Sequence, residues 1–315
     1  MSTAAVDLEG PRLGVPAPDS RPPSGRRLLR GLVSDRTARI GVVVVAVFAV
    51  AAAFAPLLAT RDPNHIEVLH KFAGPSRRHL LGTDHLGRDE WARILYGARL
   101  SLGTAAVASL AISAVGVTLG VLAGYLGGFV DGAISRVVEV LLSFPGFLLA
   151  LAVTGVLGPG LRNLLMVMVF VSWAGYARLV RGLIVAERAK PYVEAARATG
   201  VPDRRIVARH LLPNIVSPVI VLTTLDMGAV LLGLAGLSFL GLGVQPPTAE
   251  WGAMLSEAKT YLGSAPQMML WPGGSIFLMV LGFNLLGDGL RDVLDPRTAL
   301  VGRALRRRTS RPRTR

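Results

Sequence analysis

Residues 102–125 read LGTAAVASLAISAVGVTLGVLAGY, a run without a single charged side chain. A helix needs about 20 apolar residues to cross the hydrocarbon core of a bilayer, so this run is long enough to span it. Glycine and alanine recur along the run, and small residues let helix backbones approach closely within a membrane. The stretch therefore predicts a transmembrane helix that packs against other helices.

Further apolar runs of similar length lie on both sides of this one. The composition agrees with them, because only 17% of the residues are charged, compared with about 25% in soluble domains. We predict an all-α integral membrane protein with about six transmembrane helices, in which Pro145 kinks the third. The other predicted spans are residues 40–58, 137–157, 164–180, 215–242 and 268–286.

Polar stretches divide the remainder of the chain. Residues 1–39 are rich in Pro, Gly, Ser and Arg and predict a disordered cytoplasmic tail. Residues 59–100 predict an extracytoplasmic segment, and residues 291–315 predict a basic cytoplasmic tail. Between them, residues 101–290 form the main transmembrane domain, with a polar cytoplasmic loop at 182–213.

The distribution of arginine predicts the orientation of the chain. Six crossings place both tails on one side, and arginine-rich tails typically stay in the cytoplasm, where they can contact anionic membrane lipid. The segment 59–100 is also basic, and we let the two tails and the loop 182–213 decide the orientation. The net charge of +14 could also indicate nucleic-acid binding, but no basic domain with interleaved aromatic residues is present, so nucleic acid is not an expected partner.

Several kinds of chemistry are excluded by the residues that are missing. A chain without cysteine has no disulfide and no thiolate metal site. A phosphate-binding loop needs a Gly-Lys pair, but Lys71, Lys190 and Lys259 follow His, Ala and Ala. The five histidines show no metal-binding spacing. We therefore expect no cofactor, no metal site and no enzymatic activity in this chain.

The loop 182–213 predicts two short helices rather than a flexible linker. Pro191 suits a first helical position, and Gly200 suits the left-handed residue that ends a helix. Pro202 can open the second helix, which Pro213 is expected to close.

This loop also carries a recognisable motif. Glu194-Ala195-Ala196, followed by Gly200 and Leu212-Pro213, resembles the EAA motif of permease subunits in bacterial ABC importers, with His210 at its usual isoleucine position. The segment 209–214 is similar to the dipeptide and oligopeptide branch of that family. Three further segments resemble the same branch, and all four occur in the family's order: residues 79–102, 237–252 and 284–297.

The resemblance implies a type I ABC importer permease fold in a bacterial cell membrane. The loop would be the coupling element that docks on an ATPase, and transport would proceed by alternating access. The implied partners are a homologous second permease, two cytoplasmic ATP-binding subunits and an extracytoplasmic substrate-binding protein. Dipeptides or oligopeptides are the implied substrates, although related permeases also serve nickel and other solutes. The implied coupling residues are Glu194, Ala195, Ala196, Gly200, His210, Leu212 and Pro213.

Asp226 is an acidic residue well inside the fifth predicted span. It is either a polar contact in the translocation path or a hydrogen-bonded contact between helices. An ion-coupled secondary transporter is the alternative function, but it predicts ionisable residues in several spans and an inverted repeat. A membrane-embedded enzyme would need clustered Ser, His and carboxylate side chains on the helices, and the sequence shows no such set.

Overall fold

The computed structural model describes residues 32, 33 and 35–294. Within them the chain is nearly all helical and forms no β-strand. The predicted tails 1–39 and 291–315 lie largely outside the described residues. The α-helices are α1 (Arg36–Ala53), α2 (Ala55–Leu58), α3 (Glu90–Leu126), α4 (Gly128–Ser143), α5 (Gly146–Leu157), α6 (Leu161–Arg188), α7 (Pro191–Ala198), α8 (Asp203–Ile206), α9 (Leu212–Phe239), α10 (Trp251–Ala258) and α11 (Gln267–Leu294).

Five helical stretches in the described part of the chain are long and apolar enough to cross a membrane. They are α1, α3, α6, α11 and the stretch Asp203–Phe239, which joins α8 to α9. A sixth span results if α4 and α5 are counted as one broken crossing. The prediction of an all-helical membrane protein with about six spans is therefore confirmed.

The third span differs from its prediction. We predicted one helix over 137–157 with a kink at Pro145, but α4 and α5 are separate helices that meet at an angle of 91°. Phe144 has extended backbone angles (φ −100°, ψ 146°), the conformation that a following proline favours. Proline also lacks the N–H that would continue the helix. The break is the consequence of both effects.

The segment 59–100 is shorter than predicted, because α3 already begins at Glu90. Asp89 caps this helix, and its carboxylate accepts a hydrogen bond from the Ala92 N–H at 2.8 Å. Polar residues such as Arg93 suggested a loop, yet Arg93 is buried in the helix. Residues 59–89 therefore form the connection between α2 and α3.

Close contacts between small residues hold the bundle together. Gly116, Gly120 and Gly124 recur every fourth residue on the face of α3 that lies against α6. A Cβ atom at Gly120 would lie 2.7 Å from the Ala177 carbonyl oxygen, so only glycine permits this approach. At the periphery, Ala38 of α1 lies against Gly289 of α11 in the same manner.

The ends of the bundle have different structures. We call the end with residues 188–212 the loop end; α1 begins there, α3 and α6 end there, and α11 ends beside the start of α1. We call the opposite end, with residues 59–89 and 240–266, the cap end. At the cap end the Gly160 N–H donates to the Leu242 carbonyl at 3.2 Å.

Candidate functional site

The helix α7 presents two different faces at the loop end. Val193 is fully buried and packs in a cluster with Ile184 of α6 and Ile206 of α8, and Ala196, one turn later, packs against the same cluster. Glu194 and Ala195 point away from it and are exposed. The predicted coupling residues are thus divided between an outer surface and an inner anchor.

Gly200 ends α7 in the conformation that the sequence predicts. Its φ is +77°, in the left-handed region. The Gly200 N–H donates to the Arg197 carbonyl at 2.9 Å and the Val201 N–H to the Ala196 carbonyl at 3.1 Å, which is the Schellman arrangement. A Cβ atom at Gly200 would have nothing within 4 Å, so the backbone angle and not space requires glycine.

Glu187, at the end of α6, fastens α7 to two membrane-spanning helices. Its carboxylate accepts hydrogen bonds from the Tyr192 hydroxyl at 2.6 Å and the Asn214 side-chain amide at 2.9 Å. Lys190 forms an ion pair with the same carboxylate at 2.6 Å. The start of α7, the end of α6 and the start of α9 are therefore joined at one acidic side chain.

Partial burial, together with the hydrogen bond to Glu187, raises the pKa of Tyr192 to about 12. The Tyr192 hydroxyl therefore remains protonated at neutral pH, where it can donate its hydrogen bond.

Tyr125 connects the loop to the end of α3. Its hydroxyl donates to the Asp203 carboxylate at 2.5 Å, and its ring lies 5.5 Å from the guanidinium carbon of Arg197. Arg188 donates to the Tyr125 carbonyl at 2.6 Å. No role had been predicted for Glu187, Tyr192, Asn214 and Tyr125. Tyr192 lies two residues before the motif that begins at Glu194, and Asn214 is the last residue of the segment 209–214, so their positions were the available signal.

The second half of the loop departs from its prediction. We expected Pro213 to close a second short helix, but α8 continues through a π-helical turn, Val207–Leu211, into α9. The wider turn accommodates the proline, which lies in the first turn of α9. Leu212 packs against the cluster around Val193. His210 is half-buried, with its ring centroid 6.3 Å from that of Tyr192.

Comparison with known proteins shows which family the chain belongs to. Residues 116–300 match the family model described as binding-protein-dependent transport system inner membrane component. Residues 25–75 match the N-terminal transmembrane domain of oligopeptide transport permease C. The chain belongs to this permease family. It is a pore-forming subunit of an ABC importer, in a family of membrane subunits that are not themselves catalytic. This family assignment replaces the alternative prediction of an ion-coupled secondary transporter.

The permease is similar to curated relatives over most of its length. It is 42% identical to the dipeptide transport system permease protein DppC of Alkalihalophilus pseudofirmus, over 90% of this chain and 96% of the relative. It is 40% identical to the nickel transport system permease protein NikC of Escherichia coli K12, over 84% and 96%. It is 44% identical to the glutathione transport system permease protein GsiD of Escherichia coli O6:K15:H31, over 83% and 86%.

Asp226 of the permease does not belong to the loop site. It lies fourteen residues beyond Leu212 on α9, a rise of about 21 Å along the helix. The half-buried carboxyl group faces the Tyr176 side chain of α6. Asp226 thus lies on the side of α9 that faces α6. This position agrees with a contact in the translocation path and with a contact between helices.

The cap end of the permease is held by buried charges. The guanidinium groups of Arg88 and Arg93 both donate to the Glu257 carboxylate, at 2.9 and 2.7 Å, and Arg88 also pairs with Asp84 at 2.5 Å. Both arginine side chains are 1% exposed. The network connects the start of α3 with α10, more than 160 residues later in the chain.

Two further side chains, Ser101 of α3 and Glu250 at the start of α10, extend this connection. The Ser101 hydroxyl donates to the Glu250 carboxylate at 2.9 Å, and Glu250 caps α10 by accepting from the Gly252 and Ala253 N–H groups.

In the part of the chain that the structure describes, no group of three or more His, Asp and Glu side chains could hold a metal ion.

Proposed function

We propose that the permease imports dipeptides or oligopeptides by alternating access, together with a homologous second permease. Two cytoplasmic ATP-binding subunits would drive the cycle, and an extracytoplasmic substrate-binding protein would deliver the solute. The peptide assignment is supported by the dipeptide transport relative, which is similar over 90% of this chain. The nickel and glutathione relatives define the competing substrates.

The connection of α7 to three spans is the observation that carries the mechanism. The exposed Glu194 and Ala195 form the surface on which an ATP-binding subunit can press. A displacement of α7 would be transmitted to α6 and α9 through the hydrogen bonds of Glu187, and to α3 through the hydrogen bond of Tyr125. Closure of the ATPase pair would therefore move the loop ends of three spans together and reverse the access of the cavity between the two permeases.

The proposed mechanism also predicts the orientation of the permease in the membrane, because ATP is found in the cytoplasm. The loop end then faces the cytoplasm, and the described ends of the chain, Arg36 and Leu294, lie on that side as well. The cap end, with its buried network around Glu257, faces the outside and would receive the binding protein.

Purification followed by uptake measurement tests the proposal. The tagged chain is isolated from detergent-solubilised native membranes, and we expect a second multispanning subunit and a P-loop ATPase to co-purify. The complex is then reconstituted with its binding protein, and ATP-driven uptake of a radiolabelled dipeptide is measured. Unlabelled dipeptide should compete, whereas Ni²⁺ should not. Uptake of Ni²⁺ without uptake of dipeptide would overturn the peptide assignment, and uptake without ATP would overturn the importer mechanism.

A further inference from the structure

The break between α4 and α5 exposes irregular backbone on the outside of the bundle. Every residue from Leu142 to Leu148 is exposed, including Phe144 and Pro145 at the break itself. Pro145 directly precedes α5, and no side chain at this position accepts a hydrogen bond from the N–H groups of the first turn. These backbone groups need a polar partner from outside this chain.

The break lies at membrane depth. A Cβ atom at Gly146 would lie 3.8 Å from Val171 of α6, and Phe147 packs against Gly236 of α9. Val171 is ten residues into α6, which places it about 15 Å below the cap end of that helix. Irregular backbone at this depth is not tolerated against lipid; it is found where protein covers it or where it lines a water-filled cavity.

Charged residues on the same helix favour water over a protein cover. Arg136, Glu139 and Ser143 follow the i, i+3, i+7 spacing of one helix face and lead directly to the break. The side chains of Arg136 and Glu139 are 81% and 58% exposed and form an ion pair at 3.2 Å. An exposed ion pair is stable in water, whereas its desolvation under a second protein surface or lipid would cost free energy.

A polar cleft borders this face on the side of α6. It has a volume of about 120 Å³ and is lined by Ser135, Glu139, Arg178 and Arg181, among others. A second groove, between α3 and α6, contrasts with it. That groove has a volume of about 510 Å³ and is lined only by apolar and aromatic side chains such as Val107 and Phe170. The outer surface of the bundle thus has distinct polar and apolar sectors.

We propose that the polar face of α4 (Arg136, Glu139 and Ser143), together with the break at Phe144–Pro145, is one wall of the aqueous path for the solute. The second permease would supply the opposite wall, so this inference rests on the proposed function. The wall rises from the loop end, where Asp131 pairs with Arg181, for about 18 Å to the break. It ends where the backbone itself can contact a passing solute.

Cysteine accessibility tests this assignment, and the natural chain contains no cysteine that would interfere. Phe144→Cys and Val140→Cys probe the wall; both native side chains are more than half exposed, at 56% and 54%. Val107→Cys and Val47→Cys are matched controls on apolar surfaces, with native exposures of 58% and 60%. The complete complex in permeabilised native membranes is treated with methanethiosulfonate ethylsulfonate, a charged reagent that does not enter lipid.

Thiolates form in water and not in hydrocarbon, so the wall cysteines should react at least about tenfold faster than the controls. Their modification should also block ATP-driven uptake. Reaction rates equal to those of the controls would overturn the proposal. Protection in the complex that is lost when the second permease is absent would also overturn it, because the face would then be a subunit interface. Uptake by the unmodified variants, measured in the same membranes, reports on the importer function separately.

Discussion

Single residues of the loop 182–213 and its borders fix its structure through backbone geometry and through shared hydrogen-bond partners. Gly200 is exposed and has open space where a side chain would stand, yet its left-handed backbone turns the chain from α7 into α8. Glu187 has a different role, because one carboxylate receives donors from two other elements. The glycine could be predicted from sequence, since the turn is local. The hydrogen-bond donors to Glu187 come from α7 and α9, and only the fold brings these two helices together at the end of α6.

Substitution of Gly200 by valine should uncouple transport. A β-branched residue with positive φ costs on the order of 1–2 kcal/mol, so the turn would relax and displace α7. We expect the Gly200→Val permease to insert in the membrane normally but to lose most ATP-driven uptake. Gly182→Val is the control, because Gly182 is also exposed, has open space around it and has an ordinary φ. Normal uptake by Gly200→Val would refute a coupling role for this turn.

Removal of the acceptor at the cap end should destabilise the permease strongly. In Glu257→Ala, two buried guanidinium groups lose a common partner and share only Asp84 as an acceptor. Breaking a buried ion pair by removal of one partner costs up to about 3–5 kcal/mol. We expect a clear decrease in the thermal unfolding temperature of the detergent-solubilised protein. Asp62→Ala removes an exposed carboxylate and should leave that temperature unchanged. Equal unfolding temperatures for the two variants would show that the network contributes nothing to stability.

The helices follow the hydrophobic pattern in the centre of the membrane and depart from it at their ends. The apolar runs indicated where helices cross the membrane because the hydrocarbon core favours apolar side chains. The start of α3 was missed because its first three turns project beyond the apolar run, where Arg93 is buried by pairing rather than by hydrophobicity. The break at Pro145 was expected as a kink, but α4 and α5 meet at 91°, and Phe147 after the break packs against Gly236 of α9.

The contact between α3 and α6 should not tolerate a side chain at Gly120. In Gly120→Val the added atoms would meet the backbone of Ala177, which cannot rotate away. Overpacking of this kind costs about 1–3 kcal/mol or more. We expect the monodisperse peak in size-exclusion chromatography to be lost. Gly103→Val lies on the same helix in open space and should retain that peak. A monodisperse Gly120→Val protein would contradict the close packing.

In the proposed mechanism, the molecule as a whole receives force from the ATPase at the loop end and contacts the solute elsewhere. The loop end gathers the ends of three spans around α7, and the cap end is rigidified by buried charges. Between them, the broken span exposes polar groups on one side of the bundle. The motif in the loop was readable from the sequence and indicated the family, which the comparisons confirmed. The role of Asp226 stays a prediction, and the exposure of Arg136 and Glu139 on the outside of the bundle becomes visible only in three dimensions.

Site-specific cross-linking from α7 measures directly whether this helix meets the ATPase. In the cysteine-free chain, Ala195→Cys places one thiol on the exposed face of α7, and a benzophenone maleimide attached there should cross-link to a P-loop ATP-binding subunit in native membranes. Gly155→Cys, exposed near the cap end, is the control and should give no such product. An adduct with the ATP-binding subunit from Ala195 alone is the predicted result. Absence of that adduct from Ala195, or its formation from Gly155, would contradict the assignment of α7 as the coupling element.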